Sequence, residues 1–270
     1  PGERPVPDVY VATPTVKTVE VWKTHSGELR PIEAVEVRAR VNGYLTQINF
    51  TDGQRVEEGD LLFQIDPRPY QAVVDSAKAA VQEAKARVAL AKSNLERAKE
   101  LYASNAISKE IYDTRQAEQL SAQASQANAE ASLRDAELNL EFTRVVAPIS
   151  GMISEHLVDR GNLVTANSTL LTTIVRRNVV RMHFDVSERD MLDYAKSGVL
   201  AKVDQMNGTG PDVEVVLPLD PENKYTGQLT YFDNRLGRET ASLVMRADLD
   251  NKDGRLMPGQ NARVRVRLPD

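Results

Sequence analysis

Two stretches of this chain are close copies, and a long helical insert separates them. The first runs Arg38-Ala-Arg-Val-Asn-Gly43-Tyr-Leu, then Gly53, Val56 and Leu61-Leu62-x-x-Ile65. The second runs Val146-Ala-Pro-Ile-Ser-Gly151-Met-Ile, then Gly161, Val164 and Leu170-Leu171-x-x-Ile174. The offset is 108 residues at both glycines and at the valine, and it grows by one only at the last apolar group. Neither copy holds enough apolar residues to bury a core alone, so the two halves must pair in space. Whatever lies between them has to leave and return to one place. The insert therefore reads as a hairpin projecting from a small β module, a device for reaching a partner.

Within the first copy, Val35, Val37, Ala39 and Val41 alternate with polar residues, the period-2 pattern of a half-buried strand. Asn42-Gly43 and Asp52-Gly53 are turn dipeptides, and Gly43, Gly53, Gly151 and Gly161 read as the structural turns of the module. From Tyr70 to Ala147 the character changes. There is no glycine or proline, and about a quarter of the residues are alanine, a composition of high helix propensity. Val74, Ala77, Val81, Ala84, Val88, Ala91, Leu95, Ala98 and Tyr102 alternate steps of three and four, a coiled-coil seam. Tyr112, Arg115, Gln119, Ala122, Gln126, Ala129, Leu133, Ala136 and Leu140 repeat it less purely.

The break falls near Ser104-Asn-Ala-Ile-Ser108. Ser108 is a good N-cap, with Glu110 in the first turn and Ile107 and Tyr112 at the positions of a hydrophobic staple. The spacing predicts two antiparallel helices of about 32 residues, each roughly 48 Å long. Small seam residues allow close approach and a thin rod. The polar seam positions Arg115, Gln119 and Gln126 lie in the tip half of the second helix, where another chain could meet them; a solvated, marginal coiled coil is the alternative.

Residues 8–35 alternate weakly, with Pro14 and Pro31 as punctuation, after a proline-rich start that reads as an extended tether. Beyond Ile174, residues 179–186 alternate, and 187–198 read as one short helix with a Ser187 cap and a Gly198 stop. Strand candidates follow at 213–219, 225–233, 242–247 and 263–268, a spacing that suggests a small β-barrel. The expected domains are a tether with membrane-proximal strands (1–19), a β-barrel (20–35 plus 178–268), the β module (36–69 plus 143–177) and the helical hairpin (70–142).

Composition argues against chemistry. A net charge of −5 is unlike a nucleic-acid footprint, and the absence of cysteine removes disulfides and thiolate sites. No apolar run approaches the ~18–20 residues that span a bilayer. His25, His156 and His183 lack metal-ligand spacing and read as ordinary surface or strand histidines. Glu57-Glu58 reads as solvated charge, and Glu188 and Asp190 lack an evident pocket. There is no phosphate loop or nucleophile elbow, so no catalytic, cofactor or metal residue is assigned.

Two matching β halves with a glycine at the turn resemble the biotinyl/lipoyl carrier module. The Met-Lys-Met or Asp-Lys-Ala triplet of those carriers is missing at the junction, so no prosthetic group is expected. The whole order, half-module, helical hairpin, half-module, barrel, resembles the periplasmic adaptors of tripartite efflux pumps, the membrane fusion proteins. Members of that family that dock on a TolC-like channel carry Arg-x3-Leu-x6-Ser at the hairpin tip. This chain reads Arg97-Ala-Lys-Glu-Leu101-Tyr-Ala-Ser-Asn-Ala-Ile-Ser108. Leu256-Met-Pro-Gly259 is a family-like turn of the barrel.

The resemblance implies a mixed α and β, elongated multidomain fold: an antiparallel coiled-coil hairpin inserted between the halves of a lipoyl/biotinyl-like β module, then a small β-barrel. It implies a non-catalytic, inner-membrane-associated periplasmic adaptor in a Gram-negative bacterium. Its partners would be an inner-membrane resistance-nodulation-division (RND) transporter, a TolC-like outer-membrane channel engaged by Arg97, Leu101 and Ser108, and five further copies in a ring. Most of the family's membrane-proximal domain is expected to be missing. Membrane contact would come through an N-terminal anchor or the transporter. An adaptor of an ABC-type exporter or secretion system is the runner-up; a carrier domain is a remote alternative.

Overall fold

The computed structural model describes residues 20–205, 210–237 and 241–268. The tether and strands expected within 1–19 lie outside the described residues. The chain divides into two compact units, one from Glu33 to Arg176 and one formed by the segments on either side of it.

After strand β1 (Trp22–Pro31), a bend at Ile32 leads into the first unit. The first repeat half supplies β2 (Ala34–Arg38), β3 (Gly43–Ile48), β4 (Arg55–Val56) and β5 (Leu61–Ile65). The second supplies β6 (Arg144–Val146), β7 (Gly151–Ile153), β8 (Leu163–Val164) and β9 (Leu170–Val175). They form two four-stranded sheets, in the orders β2-β9-β7-β4 and β6-β5-β3-β8. Exchanging each strand for its repeat counterpart converts one order into the other. Every sheet is thus built from both halves, and neither half holds a complete sheet.

The repeated apolar positions meet in one core. Leu45 and Ile153, Val56 and Val164, Leu62 and Leu171, and Ile65 and Ile174 are all buried there. Full burial of such a side chain contributes about 1.5–3 kcal/mol, and half the residues come from each copy. The glycines repeat too. A Cβ on Gly43 would stand 2.7 Å from the Ile65 side chain, and one on Gly151 would stand 2.6 Å from the Val175 carbonyl oxygen. Gly53 and Gly161 instead open into space but hold φ of 78° and 95°, turns that disfavour a side chain. Ala34 and Val35 pair with Val175 and Ile174, so this unit begins before residue 36: the chain turns just after Pro31 and the alternation of Val35 and Val37 is a single strand.

The insert is α1 (Arg68–Ala103) and α2 (Lys109–Glu141), joined to the adjacent paired strands β5 and β6. At 36 and 33 residues they run about 54 and 50 Å. The helix starts two residues earlier than residue 70 because Pro69 is tolerated in a first turn. Asp66 accepts from the Arg68 guanidinium and amide there, which lowers its carboxyl pKa to about 2. Val74, Val81, Ala84, Ala98 and Ala136, all seam positions, are the residues buried between the helices.

The second unit is a closed antiparallel barrel. Strands β10 (Val179–Ser187), β11 (Asp212–Leu217), β12 (Asp220–Phe232), β13 (Ser242–Asp250) and β14 (Asn261–Arg267) join β1 in the order β1-β10-β13-β12-β11-β14. Strand β1 closes the ring by pairing with both β10 and β14. Closure leaves no free sheet edge. Helix α3 (Glu188–Lys196), capped by Ser187, is followed after Gly198 by a second helix, α4 (Val199–Gln205), beyond the single helix expected from the sequence. Val199 and Val203, one turn apart, enter the barrel core with Tyr194. In the Leu256-Met-Pro-Gly259 turn, the buried Asn251 side chain exchanges hydrogen bonds with both backbone groups of Leu256.

Candidate docking site at the hairpin tip

The last turn of α1 closes with a specific geometry. The Ala106 amide donates to the Leu101 carbonyl at 2.8 Å, and the Asn105 amide to the Tyr102 carbonyl at 3.0 Å. Asn105 itself sits at φ 57°. This is a Schellman stop, with Asn in the left-handed place that glycine usually takes. The Ser104 hydroxyl donates to the Glu100 carbonyl and adds a second donor to the Leu101 carbonyl. Four residues after Ser104, Ser108 is the N-cap of α2. Its Oγ accepts from the Ile111 amide at 3.4 Å, and Glu110 lies in the first turn, where the helix dipole favours an anion.

Tyr102 and Tyr112 face each other across the tip, their rings stacked with centroids 5.3 Å apart. Both are seam positions, so the heptad register accounts for the pairing. Leu101 remains 47% exposed, Ile111 46% and Tyr102 40%. Arg97 is exposed and donates from Nη2 to Asn94 Oδ1 at 2.6 Å. Its remaining donors are available to a partner's carbonyls or carboxylates. The structure therefore places Arg97 and Leu101 on the last two turns of α1 and Ser108 at the start of α2. Of the polar seam residues, Arg115 pairs with Glu118 at 2.8 Å and Gln126 donates to Glu130 at 2.8 Å. Both are satisfied within α2, and Gln119 is half-buried.

Two of the three histidines lie on strands, and the three differ in setting. His25 is buried on β1, 2.6 Å from the Tyr194 hydroxyl, and burial lowers its pKa. His183 on β10 is lowered by burial and by the charges of Arg30, Arg246 and Arg181. His156 is raised by its 2.8 Å hydrogen bond to Asp52, a contact between the two repeat halves. Asp190 is held low by Lys23, which also bonds Asp193 and so ties α3 to β1. Among the described residues, no cluster of His, Asp and Glu is placed to hold a metal ion.

Two family models match the chain. The RND MFP barrel-sandwich hybrid domain covers residues 33–176, and the RND MFP beta-barrel domain covers 179–270. The efflux pump periplasmic linker BepD of Brucella suis is 33% identical over 269 residues, spanning 97% of this chain and 66% of that protein. The multidrug resistance protein MdtE of Escherichia coli K12 is 32% identical over 256 residues, 94% of this chain and 66% of its own length. The chain thus spans just under two thirds of these relatives. A MacA–MexA chimera carrying the Pseudomonas aeruginosa MexA α-hairpin superposes with a TM-score of 0.64 at 24% identity, over 94% of this chain and 84% of that one. The membrane fusion protein Spr0693 of Streptococcus pneumoniae gives 0.65 at 21%, over 92% and 99%.

Proposed function

The chain belongs to the RND membrane fusion proteins, and from that premise we propose that it is a non-catalytic periplasmic adaptor of a multidrug efflux pump. It bridges an inner-membrane RND transporter to a TolC-like outer-membrane channel. One observation carries the docking role: Arg97, Leu101 and Ser108 converge on the closed end of a two-helix insert rooted in paired strands β5 and β6. A guanidinium with spare donors, a half-exposed leucine and a capped helix start suit the end of a partner helix. RND-type models match both units, which favours an RND transporter over an ABC-type exporter or secretion partner.

The adaptor works as a ring of six, because a single rod cannot seal a conduit. It sits in the periplasm of a Gram-negative cell, associated with the inner membrane. Energy comes from the transporter, and the adaptor's residues position rather than react.

The test is crosslinking in cells from cysteines placed beside Arg97 and Ser108 to the host's TolC-like channel. Arg97→Asp and Leu101→Ser should abolish drug resistance while leaving adaptor levels unchanged. No crosslink, together with full resistance in both variants, refutes the docking role.

A further inference from the structure

The hairpin tip carries a second leucine-like residue in a matching place. Leu101 precedes Tyr102 on α1, and Ile111 precedes Tyr112 on α2. The tyrosines stack on each other, so both point into the seam. Each preceding residue is turned about 100° away from its tyrosine. The two helices run in opposite directions, so those two turns carry Leu101 and Ile111 to the same side of the hairpin rather than to opposite sides. Arg97, four residues before Leu101, lies on that side too, as does Arg115, four residues after Ile111. The result is one face, with two half-exposed aliphatics close to the closed end and an arginine about one turn below each.

We propose that this face is the docking surface for the outer-membrane channel, and that Ile111 is a second apolar anchor beside Leu101. The inference rests on the docking role proposed above and adds to it a residue outside the Arg-x3-Leu-x6-Ser pattern. Continuity selects the occupant: Ile111 shares its face with Arg97 and Leu101, within one turn of the hairpin end. The Tyr102–Tyr112 stack acts as a positioning pair, setting the distance between the two anchors. The fitting partner surface is a shallow apolar hollow between helix ends, edged by carboxylates or free carbonyls that accept from Arg97. Exposed aliphatics elsewhere on the hairpin differ in placement. Leu120 is 60% exposed, but two turns beyond Tyr112 its direction falls on the opposite face.

The experiment places a photo-crosslinking p-benzoylphenylalanine at position 101, 111 or 120 of the full-length adaptor in its host. Crosslinks to the TolC-like channel are expected from 101 and 111 and not from 120. Channel crosslinks from 101, with 111 silent or joined only to another adaptor copy, overturn the Ile111 assignment and leave the docking role standing. Silence from both 101 and 111 removes the docking role and this inference with it. In a second arm, Ile111→Ser should lower the yield from position 101 roughly fivefold, the effect of losing about half an isoleucine's burial. Ile111→Val should restore most of it, with helical circular dichroism unchanged in both. An undiminished yield in Ile111→Ser refutes the anchor.

Discussion

Gly151→Ala tests whether the interleaved module is held as tightly as its strand order requires. The added Cβ would sit 2.6 Å from the Val175 carbonyl oxygen and 2.9 Å from its carbon. Both atoms are backbone of β9, the strand paired with β7, so no side-chain rotation relieves the clash. Displacing a packed element costs about 1–3 kcal/mol. Restricting the unfolded chain returns about 0.4–1 kcal/mol. The net loss is about 1–2 kcal/mol, equivalent to a roughly 5- to 30-fold rise in the opened fraction. Hydrogen exchange resolved by segment reads this directly. Peptides covering β7 and β9 should exchange faster by that factor, while β10 and β13 of the barrel stay unchanged. Gly161→Ala should also destabilise, through its φ of 95° rather than a clash, and Gly161→Asn should be milder because Asn accepts that region. Exchange in β9 that is unaltered by Gly151→Ala would refute the reasoning, as would equal acceleration in the barrel.

Other outcomes follow from the same geometry. In a double-mutant cycle, Tyr102→Ala and Tyr112→Ala should couple by about 0.5–1 kcal/mol, measured by denaturant unfolding of helical ellipticity; the half-exposed rings put the value low in the usual aromatic range. Ser108→Ala should cost about 0.5–1 kcal/mol by the same measurement, since the bond to Ile111 is long and exposed. The two units should respond oppositely to mild acid. The folded pKa of His25 is lowered, so the unfolded chain binds its proton more readily. Barrel stability, followed by Trp22 fluorescence, should fall as pH drops below about 6.5, with His183 adding in the same direction. His156 is raised and Asp52 lowered, so their bridge is strongest above the ordinary aspartate value of about 4 and below about 6.5. Module exchange rates should rise as pH climbs through the folded His156 value, after correction for intrinsic chemistry, and Asp52→Asn should weaken that dependence, leaving the smaller contribution of Asp159.

Much of the architecture is legible without coordinates because it rests on local periodicity and composition. The three–four spacing from Val74 to Tyr102 can form only a helical seam, and a stretch without glycine or proline gives it nowhere to break before Ser104. The repeat of Gly43 and Gly151, and of Leu45 and Ile153, requires two equivalent halves. Ser108 announces a helix start by its side chain alone. These features belong to single segments, and their physics is complete within a few turns.

Other features exist only through contacts between distant segments. Nothing local says that β2 pairs with β9 while β6 pairs with β5, so that each sheet draws on both halves; that follows from burying one shared core. Strand β1 becomes the clasp of a closed barrel because its hydrogen bonds are satisfied by β10 and β14, far along the chain. Helix α4 is short and weakly marked, and it is secured by Val199 and Val203 in the barrel core. His25 reads as a surface or strand histidine, and only the fold buries it on β1 against Tyr194. At the tip, the sequence determines which residues are present and where the helices end. The packing of the seam, from Val74, Val81, Ala84, Ala98 and Ala136 to the Tyr102–Tyr112 stack, sets the rotation of the two helices, and that rotation brings Leu101 and Ile111 onto one face.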